Sequence, residues 1–170
     1  PRLLLNSASP VFPDGLANRS GLVGKNLMLH PLGYVEGLFN EPLNSNLGPQ
    51  GCCIQSQEFY ESDTKRGYVR GYTMQILRGP GPVETAVSGF ARREIPRGVD
   101  HHQAFAKLFS HTIGMGIIVE DLPEHHNTVT LDTKIADSNG IPAPKINYKM
   151  SENSKKMLVH GLERGKEVMT

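Results

Sequence analysis

The sequence predicts an α+β fold built on an antiparallel β-sheet of about six strands. Three observations carry this. The chain of 170 residues contains 18 Gly and 12 Pro, more than average usage, which implies many turns. Six short segments alternate or cluster apolar and β-branched residues at strand length. Two others repeat apolar residues at helical spacing. A chain this long buries enough surface for a core without metals or disulfides. Its 38% hydrophobic residues become about 46% when Gly is counted in place of Tyr, the share of an ordinary globular domain.

Residues 1–25 hold a short apolar run, Leu3 to Leu5, followed by Pro10, Pro13, Gly15, Gly21 and Gly24, a loop-rich opening. Residues 27–39, with Tyr34, Val35 and Phe39, read as a strand ended by the cluster Asn44, Asn46, Gly48, Pro49 and Gly51. Residues 52–60 and 68–77 read as two more, with Gln55, Gln57, Thr73 and Gln75 interleaved at period two. The charged stretch 61–67 joins them, and the three strands together suggest an antiparallel meander. Residues 78–82, Arg-Gly-Pro-Gly-Pro, read as a loop, since two of the five lack the backbone donor that a phosphate cradle uses.

Asp100 and Gln103 fit a capping box, and Ala104, Phe105, Leu108 and Phe109 recur at helical spacing, so a helix is predicted over 101–110. Residues 112–120 form a short β-branched run and read as a buried strand. Residues 127–132 and 145–150 alternate apolar and polar side chains, with the turn signal Asp137-Ser138-Asn139-Gly140 between them. Ser151 is placed to cap a last helix with Glu152 in its first turn. Leu158, Leu162, Gly165 and Met169 line one side of it, and Gly161 and Gly165 would let it approach the sheet closely.

Lys and Arg number 18 against 17 Asp and Glu, a formal net charge of +1, which leaves no electrostatic footprint for nucleic acid or an anionic membrane. No apolar run approaches the roughly 18 residues of a membrane-spanning helix. Cys52 and Cys53 are adjacent and on an extended chain point to opposite faces, so they are not expected to bridge. Nothing selects cytoplasm or periplasm as the compartment of a soluble protein. The chain opens on Pro1 and stops at Thr170 with a helical pattern unfinished, and is read as a fragment.

The pairs His101-His102 and His125-His126 invite a metal reading. Consecutive residues do not share a face, however, and no His-x-x-x-His with an acid or Cys-x-x-Cys is present, so no metal site is expected. Asp100-His101-His102 lacks the further aspartate motifs of a two-metal phosphoesterase. Gly114-Met115-Gly116 lacks the third glycine and the following helix of a dinucleotide fingerprint. Neither a Gly-x-Ser-x-Gly elbow nor a Walker loop occurs.

Val23-Gly24-Lys25-Asn26-Leu27-Met28-Leu29-His30-Pro31 resembles the V-G-x-N-L-x-x-H-P segment that ends the flavin-domain half of glucose–methanol–choline (GMC) oxidoreductases. Residues 1–7 are similar to the tail of that family's second signature, with Ala8 where the family has glycine. His126 to Asp132 and Gly140 to Tyr148 are similar to its V-x-L strand, Pro-rich turn and following strand, although His126-Asn127-Thr128 stands where Ser-Arg-Gly is usual. Within that family the chain resembles the bacterial dehydrogenases of alcohols, polyols and sugar acids more than the fungal oxidases.

The resemblance implies an FAD enzyme that oxidises a CH–OH group by hydride transfer to the flavin, with a small alcohol, polyol or sugar acid as substrate and an unassigned electron acceptor. It implies that residues 1–32 are the tail of the FAD-binding domain and 33–170 most of the substrate domain, an antiparallel sheet with helices on one face. The Gly-rich FAD loop is expected before Pro1 and the catalytic histidine beyond Thr170. No residue here therefore inherits the catalytic role, and the chain alone is expected to be inactive. Asn26 and His30 are candidates to approach the FAD, and Gln55, Gln57, Thr73 and Gln75 to bind substrate hydroxyls. The alternative is a non-enzymatic β-sheet module that binds a sugar or a partner.

Overall fold

In a computed structural model the chain is described at residues 1–49 and 51–170, the side chain of Cys53 excepted. Gln50, within the strand-breaking cluster, and the expectation that Cys53 does not bridge lie outside the described residues. Helices α1 (Arg2–Asn6), α2 (Pro82–Arg92), α3 (His101–Leu108) and α4 (Glu152–Val168) accompany six strands: β1 (Leu32–Leu38), β2 (Cys52–Ser56), β3 (Tyr72–Leu77), β4 (Thr112–Val119), β5 (Thr128–Ala136) and β6 (Pro142–Asn147). The fold is α+β and antiparallel. The strands are divided, four in one sheet and two in another, so the main sheet is smaller than the six expected. By contacts the chain separates into two compact units, residues 1–30 with 120–155, and residues 31–119 with 156–170.

The first unit is organised on the β5–β6 hairpin, in which Val129 faces Ile146 and Leu131 faces Pro144. Its turn is the one the sequence signals. The Asp137 carboxylate accepts from the backbone N–H of Asn139 and Ile141 at 2.9 and 3.1 Å, Gly140 takes a φ of 77°, and Arg2 closes on Asp137 at 2.7 Å. Pro142 and Pro144 lack the N–H that a further strand would need, which makes β6 an edge. The loop before residue 30 lies along β5: Leu27 N–H donates to the Asn127 carbonyl and Val129 N–H to that of Gly24, at 2.9 and 2.8 Å. A side chain at Gly24 would run into the Val129 carbonyl. Buried Asn127 receives Lys149 N–H at 2.7 Å and returns its amide to the Lys149 carbonyl. Ser151 caps α4 as expected, accepting from Ser154 N–H at 3.0 Å.

In the second unit the strand order is β1-β4-β3-β2. Strand β1 therefore pairs with β4 and not with β2, a correction to the expected meander. Local alternation reports strand type and face; which strands meet is settled by long-range pairing. The first strand also begins five residues later than predicted, at Leu32. The core gathers Tyr68, Tyr72, Met74, Met115, Ile117, Val119 and Met157, with Ile117 and Val119 at 0% exposure. Residues of α4 lie against the face that carries Gly33, Val35 and Ile117, and the close approach read from its glycines is present. A Cβ on Gly161 would stand 2.5 Å from Ile117, and one on Gly33 2.9 Å from both Leu158 and Leu162.

Helix α2 was not anticipated. Pro82 opens it at the first turn and Arg93 ends it in the left-handed region. Pro at N1 is a start signal, but the β-branched Val83, Thr85 and Val87 and the interior Gly89 weaken the helical pattern. Gly89 is required there by Ile95, which folds back onto it. Asp100 precedes α3 as expected but makes no side-chain capping bond. The turn before the helix is instead held by the His101 ring on the Gly98 carbonyl.

His160 of α4 sits between two phenols, its Nδ1 2.8 Å from the Tyr72 hydroxyl and 3.1 Å from that of Tyr68, with Phe59 packed edge-on. Burial first, then the Arg164 and Arg66 cations, hold the imidazole below its usual pKa of 6.5. The unfolded chain thus takes up this proton before the folded one. The contribution to stability is complete above about pH 6.5 and is lost as the pH falls below it. We expect the urea midpoint to drop as the pH is lowered from about 7.5 to about 5, and His160→Gln to flatten that dependence. An unchanged slope in the variant would remove His160 from the account.

Candidate functional site

The four-stranded sheet presents its second face through Leu32, Tyr34, Glu36 and Leu38 of β1, Gly114, Gly116 and Ile118 of β4, Thr73, Gln75 and Leu77 of β3, and Gln55 of β2. Register aligns four of these in one row. Tyr34 is opposite Gly116, Gly116 opposite Gln75, and Gln75 opposite Gln55. A second row places Leu32 opposite Ile118 and Ile118 opposite Thr73. The face is thus polar at β2 and β3, bare at the centre and apolar along β1. Tyr34 and Leu32 are 49% and 64% exposed, whereas Thr73 and Gln75 are half-buried.

Gln55, Thr73 and Gln75 come together on this face. Gln57 does not join them in the sheet: β2 ends at Ser56, and Gln57 is exposed, its carbonyl accepting from Tyr60 N–H at 3.0 Å in the following turn. Asn26 and His30 lie in the first unit. Asn26 adopts the left-handed region, φ 54°, and is half-buried, while His30 is exposed.

Tyr34, read from sequence only as a strand former, is central. Its ring leans diagonally over Gly114, so that a side chain there would collide with the phenol, the reach that aromatic side chains have across antiparallel strands. Burial first, then the Glu36 carboxylate, raise the phenol above its usual range against the pull of Arg92. Arg92 of α2 pairs with Glu36 at 2.6 Å. Beside that pair a cavity of ≈ 200 Å³ is lined by Thr85, Ser88, Leu38 and Thr112 among others. The sequence signal for this face is the pair Gly114 and Gly116 in a central strand, a spacing that otherwise reads as an incomplete dinucleotide fingerprint.

The chemistry this face offers is recognition. Carboxamides and a hydroxyl can donate to and accept from alcohol groups, and apolar side chains can take a carbon skeleton. The face carries no histidine, and Glu36 is engaged with Arg92. Among the described residues no group of three or more His, Cys, Asp or Glu could hold a metal ion, and no helix is long and apolar enough to cross a membrane.

No family model matches the chain. It is similar to a 2-methyl-1,2-propanediol dehydrogenase of Mycolicibacterium austroafricanum, 39% identical over 165 residues that cover 96% of the chain and 30% of that protein. It is also similar to the fructose dehydrogenase large subunit of Gluconobacter japonicus, 27% identical over 160 residues covering 92% of the chain and 28% of the subunit. The chain thus spans under a third of the length of the curated relatives it matches.

Proposed function

We propose that this chain is the substrate-domain part of an FAD-dependent oxidoreductase of the GMC type, acting on the CH–OH group of a small alcohol, diol or sugar. The observation that carries the reading is the 39% identity, sustained over 96% of the chain, to a diol dehydrogenase. The similarity to a sugar dehydrogenase over almost the same share supports it independently. In this reading residues 1–32 close the flavin-domain half, and residues 33–170 form most of the substrate domain.

The residues present fit one part of an FAD site. A half-polar sheet face with a bare centre suits a planar ring with a hydroxylated substrate between the two. The pyrophosphate asks for a Gly-rich turn opening a helix, and this chain's sequence contains no Gly-x-Gly-x-x-Gly. Bound FAD would supply the hydride acceptor. Gln55, Gln75 and Thr73 would hold the substrate's hydroxyl groups, and Leu32, Leu77 and Ile118 would exclude water from its carbon skeleton. Asn26 and His30, in the loop of the V-G-x-N-L-x-x-H-P motif, would serve the cofactor side. No side chain in this chain is assigned the role of proton acceptor.

The test is colour and turnover. A full-length protein containing these residues is expected to purify yellow and to reduce an artificial electron-accepting dye with a diol or sugar. The 170-residue chain by itself is expected to give no turnover. A colourless, inactive full-length protein that still binds sugar would replace this reading with a non-enzymatic binding module, and dye reduction by the isolated chain would also contradict it.

A further inference from the structure

Most glycines of the main sheet and of the helix over it have a packing reason. Gly33 makes way for Leu158 and Leu162, Gly37 for Phe39, Gly114 for the Tyr34 ring, and Gly161 for Ile117. Gly116 has none. A Cβ built on it would lie 3.6 Å from Leu32 and 3.7 Å from Leu77, ordinary contact distances, and its backbone is not in the left-handed region. Glycine in a strand interior costs stability, and often marks a bulge, a bend, or a site where a ligand or another backbone approaches closely; the register runs through Gly116 without a bulge. This one sits in the middle of a central strand, on the face opposite the core, between Tyr34 and Gln75.

We infer that Gly116 is a specificity-determining position, the floor of a narrow cleft between Leu32 and Leu77 that seats the carbon skeleton of the alcohol substrate. This rests on the proposed dehydrogenase reading. Gln75 beside the cleft, with Gln55 opposite it on β2, is placed to take a second hydroxyl, so the favoured substrate class is a short vicinal diol. Leucine methyl groups on both sides of the floor suit a slim aliphatic skeleton better than a sugar ring, which is wider and carries hydroxyls around its rim. Leu32 is largely exposed, so a ligand can reach it from solvent.

The test compares Gly116→Ala, Gly116→Val and Gly114→Ala in the full-length flavoenzyme, using 2-methyl-1,2-propanediol and fructose as probes. Gly116→Ala is expected to keep or raise the melting temperature and keep bound flavin, while lowering kcat/KM for the diol about tenfold, the scale of one added carbon in a fitted pocket. Gly116→Val is expected to lose more. Gly114→Ala, the structural control, is expected to lower the melting temperature because Tyr34 must move. Unchanged diol kinetics in both Gly116 variants would overturn the inference while leaving the dehydrogenase reading intact. Loss of flavin absorbance in Gly116→Ala would also overturn it, by giving the cleft to the cofactor. A wild-type protein that oxidises neither probe would sink this inference, and one that also lacks flavin would take the dehydrogenase reading with it.

Discussion

Gly161→Val should destabilise the second unit by about 3–5 kcal/mol, the upper end of overpacking losses. Even a lone Cβ at Gly161 would stand 2.5 Å from the Ile117 Cγ2 and 3.3 Å from the Tyr72 ring. Neither neighbour can yield far enough to clear an overlap of that size, since Ile117 and Tyr72 are 0% and 2% exposed at the centre of the core. Helix propensity runs the other way: replacing an interior helical glycine by alanine gains roughly 1 kcal/mol. Gly161→Ala should therefore cost less than the valine variant, about 1–3 kcal/mol net.

Gly165, one turn along, provides the internal comparison. Its Cβ would meet Ile117 Cδ1, Val35 Cγ2 and Met115 Sδ at 3.2, 3.3 and 3.5 Å, distances that flexible side-chain ends relieve by a few tenths of an ångström. Gly165→Ala is expected within about 1 kcal/mol of the parent, because propensity and crowding nearly cancel. Urea unfolding with an unchanged m-value measures both. Equal losses at the two positions would mean that the helix does not rest on Ile117 as described.

That contrast also marks what the sequence could disclose. The glycine spacing on α4 announced a close approach, since a helix that is otherwise amphipathic has little other use for two glycines on its buried side. The Asp137–Gly140 turn was legible because each residue there has a local reason. Helix α2 was not: its start signal was visible at Pro82, but its Val, Thr and Gly interior reads equally well as loop or strand. Strand order was hidden for a different reason, because the pairing of β1 with β4 joins residues about eighty apart and no local pattern encodes it.

The candidate face was half legible. Period-two alternation put Gln55, Thr73 and Gln75 on one side, and register aligned Gln55 with Gln75. The same alternation carried Gln57 along because parity continues past a strand's end while the sheet does not. Tyr34 and Gly116 were missed because each has a bland local reading, one as a β-former and the other as an incidental glycine. Their meaning arises only when a third strand lies beside them.

Asp121→Ala should have the corresponding effect on the first unit, a loss of about 3–5 kcal/mol. Asp121 is 4% exposed and collects three donors: the Ser154 hydroxyl at 2.7 Å, the Tyr148 hydroxyl at 2.8 Å and Leu29 N–H at 3.3 Å. They arrive from the loop before β1 and from the stretch that links β6 to the start of α4, so one carboxylate ties two pieces of chain distant in sequence. Alanine would leave the partly buried Tyr148 phenol without its acceptor and the fully buried Ser154 hydroxyl with only the Ser151 Oγ at 3.0 Å, and a buried unpaired donor costs more than the bond itself contributed. Asn is nearly isosteric and keeps one strong acceptor, while both hydroxyls can rotate to accept from its amide. Asp121→Asn is therefore expected to lose about 1–2 kcal/mol.

Tyr148 supplies a second readout that a general loss of packing would not move. Burial first, then the Asp121 carboxylate, push its phenol from 10.0 up to about 12. A group with a raised folded pKa stabilises the fold below its unfolded value and loses that contribution as the pH rises from about 10 towards 12. Ultraviolet titration should find one tyrosine ionising earlier in Asp121→Asn than in the parent, with the alkaline loss of stability correspondingly smaller. If Tyr148 titrates unchanged in a folded Asp121→Asn protein, the carboxylate does not hold the phenol, and the three-donor account of Asp121 fails with it.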